Sequence, residues 1–335
     1  MVMRNNTTTT DYVNCLWYSL VMRHVLVTGI NGFVGKHLAK ILNEHGCQVS
    51  GVIYNGTVTE DLKQVLNQTL SCDLSDKNQV NRLDLTPYDV IINLAGLAQM
   101  GMSFEKPELF MHINVSVLQN ICDRLLEQKH APRILAISSG AVYESHQSMP
   151  LKETSKLIQD GSPYSQSKIA MEDVATTYRE KGLPECLVAR PFNHVGPGQK
   201  EGFIVPDLYK KLLHAIQSNT PLRVGNLSTR RDYTDVRDVA NAYMLLALTE
   251  KKALSSPIYN VCSGVSHSGN EILSALEQQL PGSDQVTIKV DTSTARPNDP
   301  KELVGDNSLL RRDTAWVPKI PFEQTIKDFV QAQQS

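Results

Sequence analysis

The sequence predicts an α/β chain: a Rossmann-type, doubly wound parallel sheet followed by a smaller mixed α/β lobe. Three observations predict it. Short β-rich runs alternate with helix-spaced apolar runs through the first half. A glycine loop follows the first of those strands. Beyond Arg190, proline and glycine become dense and the alternation loosens.

The first strand is expected at 24–28, His-Val-Leu-Val-Thr. A helix over 35–44 follows, with Val34, Leu38, Ile41 and Leu42 at helical spacing. Strands are expected at 48–54, 70–74 and 90–94, with helices over 61–70 and 80–83 between them. A long helix over 107–129 carries Leu109, Ile113, Val117, Ile121 and Leu125 every four residues. A strand at 134–138, a helix over 165–181 and a strand at 186–190 complete the alternation. Repeated strand–helix units mean a parallel sheet covered on both faces. Residues 22–190 are read as a dinucleotide-binding domain. Residues 191–335 are read as a substrate-binding lobe, with part of the chain crossing back to the first domain. Met22 stands directly before the first strand, so residues 1–21 are read as an extension outside the fold.

Composition narrows the function. The chain has 335 residues, 41% hydrophobic and 20% charged, which is ordinary for a globular protein and sufficient for a core without disulfides. A formal net charge of −2 gives no bulk field for nucleic acid or an anionic membrane. Any anionic substrate must be held by a few placed arginines and backbone N–H groups. Cys15, Cys47, Cys72, Cys122, Cys186 and Cys262 form no CxxC pair and no Cys/His cluster. That argues against a metal site and fits a reducing, cytoplasmic location. No run approaches the ~18 apolar residues of a membrane span.

Gly29-Ile30-Asn31-Gly32-Phe33-Val34-Gly35 lies between a strand and a helix, the context in which such a loop holds a pyrophosphate. Glycines let the phosphate approach the backbone, and the helix N-terminus adds free N–H groups and partial positive charge. An NAD-type pattern expects a carboxylate at the end of the second strand, where this chain has Tyr54-Asn55-Gly56. Nothing there would repel a 2′-phosphate, and no arginine is there to bind one. The cofactor expectation therefore leans to NADP(H), with NAD(H) open. Asp73-Leu74 would suit a contact to the adenine; an Asp capping the next turn is the competing reading.

Tyr164-Ser-Gln-Ser-Lys168 places a phenol and an ammonium on one helix face just after Pro163. Lowering the phenol from its usual ~10 by roughly 3 units requires about 4 kcal/mol of differential interaction. A fixed cation beside the phenol, together with the positive nicotinamide ring of an oxidised cofactor, would favour the phenolate. A phenol so tuned can give or take the proton that accompanies hydride transfer at a C–OH/C=O centre. Ser139, at a strand end, could hold the same oxygen. Taken alone this spacing is weak, because surface helices meet it by chance. Its weight comes from the glycine loop, from Asn93-Leu94-Ala95-Gly96 after the fourth strand, and from Ser138-Ser139 after the fifth. GxSxG and HExxH spacings are both absent.

Together these residues resemble the extended short-chain dehydrogenase/reductase family, over nearly everything from Met22 onward. The resemblance implies a Ser139–Tyr164–Lys168 catalytic triad. It implies cofactor contacts at Gly29, Asn31, Gly32, Phe33, Val34, Gly35, Asp73, Leu74, Leu94, Ala95 and Gly96, with Tyr164 and Lys168. The C-terminal half is similar to GDP-mannose-related reductases: Arg190-Pro-Phe-Asn193-His194 would contribute Asn193 to a sugar diphosphate. The Thr229-Arg-Arg231-Asp segment and Ala295-Arg296 would each add an arginine, suited to phosphate by its forked donors. A surface ion pair is the competing reading for each arginine.

Ser139-Gly140-Ala141 carries no carboxylate for dehydration and no Cys for proton exchange beside a keto group, although His194 remains a candidate acid. The resemblance then implies reduction of a nucleotide-linked 4-keto-6-deoxy sugar. The alternative is a nucleotide-sugar 4-epimerase with retained NAD. A non-catalytic dinucleotide-binding regulator would predict a damaged triad, and this one is intact. Glu144 departs from the family, where glycine is common after Val-Tyr. The resemblance also implies a homodimer through a four-helix interface built by the 107–129 helix and the one bearing Tyr164.

Overall fold

The computed structural model describes residues 22–291 and 300–334, so the expected extension at 1–21 lies outside the described residues. In the first half the elements are β1 (His24–Thr28), α1 (Phe33–Glu44), β2 (Gln48–Ile53), α2 (Glu60–Lys63), β3 (Gln68–Ser71) and α3 (Lys77–Val80). They continue as β4 (Val90–Asn93), α4 (Met100–Glu105), α5 (Pro107–Glu127), β5 (Arg133–Ile137), α6 (Pro163–Lys181) and β6 (Cys186–Pro191). Then come β7 (Asn193–Val195), α7 (Ile204–Ser218), β8 (Leu222–Val224), β9 (Arg230–Asp235), α8 (Val236–Leu248) and β10 (Ile258–Val261). The rest are β11 (Ser266–Ser268), α9 (Gly269–Glu277), β12 (Ile288–Val290), β13 (Glu302–Leu303), α10 (Ser308–Thr314) and α11 (Phe322–Gln334).

Seven strands form one parallel sheet in the order β10-β6-β5-β4-β1-β2-β3. Its two faces follow from strand alternation. In β1, Val25 and Val27 pack beneath α1 and α8 with Leu38, Leu42 and Tyr243, whereas Leu26 points to Val117, Ile121 and Met171 of α5 and α6. Chain order reverses between β1 and β4, which opens a crevice beyond their C-terminal ends. β10 belongs to this sheet, so the chain returns to it after leaving at β6. The remaining strands form a four-stranded group around β9 and the β8–β12 pair. There α7, α9 and α11 enclose a separate core with Leu212, Ile272 and Phe329.

Pro163 and the Ser162 cap, whose hydroxyl accepts from Ser165 N at 3.1 Å, start α6. Several expected bounds are corrected: the helix expected over 80–83 lies at Lys77–Val80, and the strand expected at 70–74 lies at Gln68–Ser71. The helix expected over 61–70 ends at Lys63, because Asn67 joins the edge of β2 and Gln68–Ser71 pairs alongside it. Asn67 N donates to Val49 O at 2.8 Å and its side chain accepts from Val49 N at 3.0 Å, which sets the register. The short α4 was not expected; it runs directly into α5 through Lys106.

Candidate active site

Three consecutive residues at the end of β5 are each tied to a different residue of α6. Ile137 O accepts from Lys168 Nζ at 2.8 Å, Ser138 Oγ donates to Glu172 Oε1 at 2.5 Å, and the Ser139 hydroxyl hydrogen-bonds the Tyr164 phenol. Tyr164, Lys168 and Glu172 follow at four-residue intervals, so one helix face delivers all three. Ser139 also caps a short turn, accepting from Ala141 N at 3.1 Å.

Burial dominates the electrostatics. Tyr164 is 8% exposed, and burial raises its phenol above the usual value, offset in part by the bond from Ser139. Lys168 is pushed down to about 8 by burial, while the Glu172 carboxylate acts in the opposite direction. Without the charge of a cofactor ring beside it, the phenol stays above its usual value. The ammonium sits on Ile137 O, with Nζ 6.0 Å from the Tyr164 ring centroid. At neutral pH the cluster is therefore a protonated phenol beside an ammonium ion.

Asn114 of α5 reinforces the same corner: its side chain accepts from Leu97 N at 2.8 Å and donates to Ser167 Oγ at 2.9 Å. Across the crevice, Thr28 Oγ1 donates to Asn93 Oδ1 at 2.7 Å and accepts from Ala95 N at 3.0 Å. That pair clamps the end of β1 to the Leu94-Ala95-Gly96 turn.

The glycine loop is shaped for close approach. Gly29 adopts φ +64°, and a Cβ there would meet Ala95 N at 3.2 Å. At Gly35 a Cβ would lie 2.5 Å from Ile30 O and 2.7 Å from Gly29 O, so only glycine lets α1 begin this near to β1. Gly32 precedes α1 and supplies no side-chain cap, so the first-turn N–H groups gain no acceptor from it. These features fit a dinucleotide pyrophosphate. Asn31 Nδ2 donates to Asn55 O at 3.0 Å and holds the loop after β2, where Tyr54 is exposed and no carboxylate stands. Asp73 Oδ1 accepts from Ser75 N and Oγ at 2.9 and 2.6 Å, and so shapes the turn after β3.

A model of the family described as GDP-mannose 4,6 dehydratase matches residues 26–329. The chain belongs to this family. It is an enzyme of the extended short-chain dehydrogenase/reductase type, for which a nicotinamide dinucleotide is the cofactor. Among characterised relatives, GDP-6-deoxy-D-mannose reductase of Pseudomonas aeruginosa is 30% identical over 91% of this chain and 95% of its own. The structure of RMD from Pseudomonas aeruginosa complexed with NADPH covers 93% of this chain and 98% of that one, with TM-score 0.78 and 27% identity. The UDP-glucose 4-epimerase of Thermus thermophilus in complex with NAD covers 93% and 99%, with TM-score 0.76 and 25% identity. The family thus spans several reactions on one scaffold, and the site must discriminate between them.

In the second strand group, β7 lies beside β9 with Asn193 opposite Tyr233. The Asn193 side chain bonds the Tyr233 hydroxyl, and the charge of Arg231 acts on that same phenol. Arg231 donates to Arg230 O and Pro300 O at 2.7 and 2.9 Å. Arg296 lies outside the described residues. His194 stacks on Phe33 of the glycine loop at 6.0 Å; burial lowers its imidazole, so it is neutral at neutral pH and a poor source of protons. Glu144 turns its carboxylate onto the N–H groups of Ser145 and His146 and takes no place in the site. Tyr233 and Glu172 escaped the reading of the sequence. Glu172 had a legible signal, falling four residues after Lys168; Tyr233 had none, since only strand pairing brings it to Asn193.

Proposed function

We propose that this enzyme reduces a nucleotide-linked 4-keto-6-deoxy sugar, converting GDP-4-dehydro-6-deoxy-D-mannose to GDP-D-rhamnose with NADPH preferred over NADH. The observation that carries the proposal is the Ser139–Tyr164–Lys168 cluster, with its phenol protonated and Gly140-Ala141 where a dehydration acid/base pair would stand. Ketone reduction needs one proton donor and no second acid or base. The 30% identity to a GDP-6-deoxy-D-mannose reductase supports the same reading.

Gly29, Asn31, Gly32, Phe33, Val34 and Gly35 would hold the cofactor pyrophosphate, with Asp73, Leu74, Leu94, Ala95 and Gly96 along its length. When bound, the dinucleotide supplies hydride. Tyr164 gives its proton to the C4 oxygen of the sugar as that oxygen gains charge. Ser139 donates to the same oxygen and orients the carbonyl. Lys168, held on the sheet, keeps a positive charge beside the phenol and lowers the cost of its ionisation. Asn193, Arg231 and Arg296 would grip the diphosphate, so binding energy remote from C4 positions the reacting carbon.

The enzyme is further read as a cytoplasmic homodimer joined through α5 and α6, where Leu109 and Met111 are exposed on α5. Similarity to an NAD-bound 4-epimerase keeps one competing reading, a cycle that oxidises and re-reduces C4. Product analysis separates the two. Incubation with NADPH and the GDP-ketosugar should yield GDP-D-rhamnose and one NADP+ per sugar converted. Purified protein that retains NAD and interconverts GDP- or UDP-hexoses without net cofactor turnover would overturn the reductase reading.

A further inference from the structure

Behind the Ser139–Tyr164–Lys168 cluster lies a second buried polar layer that the proposed chemistry does not use. Glu172 of α6 is 6% exposed, and Arg190 reaches it from β6 at 3%. The guanidinium grips both carboxylate oxygens, Nε to Oε1 at 2.9 Å and Nη2 to Oε2 at 2.6 Å. On its other side Arg190 Nη1 donates to Tyr143 OH at 3.0 Å and Glu153 O at 3.1 Å, and Tyr143 OH donates to Asn260 Oδ1 at 2.6 Å. The layer therefore joins α6, β6, β10 and the segment after β5 behind one wall of the site.

Stability alone is a poor reason for such a layer. Removing two charges from water offsets most of their attraction, and apolar replacements of similar volume are often neutral. Placement is a better reason. Ser138 is fixed from both sides, its hydroxyl on Glu172 Oε1 and its N–H on Ala189 O at 2.8 Å. Ser139 is the next residue, so its hydroxyl inherits that placement relative to Tyr164. Glu172 also sits one helical turn beyond Lys168. The titratable groups around Lys168 are Tyr164 and Glu172 on α6 itself, Arg190 of β6 and Tyr143 behind Glu172, and Tyr243 of α8, which senses Tyr164. Of these, Glu172 supplies the charge that acts on Lys168.

We infer that Glu172, clamped by Arg190, is a positioning residue for this enzyme: through Ser138 it sets Ser139 against Tyr164, and it stands one helical turn from Lys168 on the same helix. The inference deepens the reductase reading in its kinetic arm and is independent of it in a cofactor-binding arm.

The test uses full-length Glu172→Gln and Ser138→Ala. The glutamine keeps the volume and one acceptor but removes the charge and leaves the Arg190 cation uncompensated. Lys168 then loses its proton at lower pH. NADPH affinity followed by fluorescence should weaken with rising pH near 8 in the native protein and roughly 1 unit lower in Glu172→Gln. At neutral pH kcat for the ketosugar should fall about tenfold, with KM within about twofold, the pattern of a lost transition-state interaction. Ser138→Ala keeps the ion pair, so it should lower kcat several-fold without moving the limb. If Glu172→Gln does not fold, Glu172→Asp retains the charge but draws it back, and should lower kcat with the limb in place. A Glu172→Gln protein that only melts earlier, with native kcat and limb, overturns the inference, as does a native kcat in Ser138→Ala or Glu172→Asp. A native enzyme that shows the limb but turns over no ketosugar contradicts the substrate reading instead. The unmoved or shifted limb in Glu172→Gln then still decides the role of Glu172.

Discussion

Lys168 donates to the carbonyl oxygen of Ile137 at 2.8 Å, so its ammonium is fixed by the sheet rather than by the Tyr164 phenol nearby. Because the anchor is a neutral backbone oxygen, burial is left to act on the charge, and Lys168 is held at about 8.

The consequence for pH dependence has a definite sign. Below about 8 the ammonium is present; as pH rises through that value it is lost, while burial keeps Tyr164 protonated beyond it. The rate of reduction, measured as kcat/KM against pH, should therefore fall along a limb near 8. A limb appearing only near the ordinary tyrosine value would mean that Lys168 does not control the reaction.

The glycine loop makes a second prediction. Gly35→Ala would put Cβ 2.5 Å from Ile30 O, a backbone atom that cannot swing aside, so α1 must move from the cofactor path. NADPH affinity should fall at least tenfold, about 1.4 kcal/mol by calorimetry. Gly46→Ala is the control: that position, at φ +76°, costs roughly 1–2 kcal/mol of stability but meets no atom within 4 Å and should leave affinity unchanged.

Much of this architecture was legible in the residues. Strand alternation in β1, the glycine loop and the Tyr164–Lys168 spacing are local patterns, and the parallel sheet follows from them. What was hidden depends on partners distant in the chain. A helix over 61–70 was expected, yet Asn67 meets Val49 and the edge of β2 claims the segment. The Glu172–Arg190 pair joins a helix to a strand eighteen residues on, where neither residue alone announces the other. Tyr233 becomes part of the Asn193–Arg231 group only through the pairing of β7 with β9.

That buried pair carries a stability prediction. Arg190→Ala leaves the buried Glu172 carboxylate without its cation, with only the Ser138 hydroxyl on it, and should destabilise the fold by about 3–5 kcal/mol in denaturant titrations. A loss under about 1 kcal/mol would show that water reaches the carboxylate, contrary to its burial.

Association is testable at the α5–α6 face, where a groove is lined by Gln119, Ala170, Asp173, Val174, Thr177, Tyr178 and Lys181. Light scattering at micromolar concentration should give a dimer, and Ala170→Arg a monomer that still folds. A monomeric native protein would contradict the dimer.

The most direct test follows reduced-nicotinamide absorbance on adding GDP-4-dehydro-6-deoxy-D-mannose, for the native enzyme and for Tyr164→Phe. The proton-donor role of Tyr164 predicts rapid NADPH oxidation in the native enzyme and a rate lower by roughly 10²–10⁴-fold in the variant, with cofactor affinity retained. Oxidation that persists in Tyr164→Phe would remove Tyr164 from the chemistry, and no oxidation by the native enzyme would contradict the reductase itself.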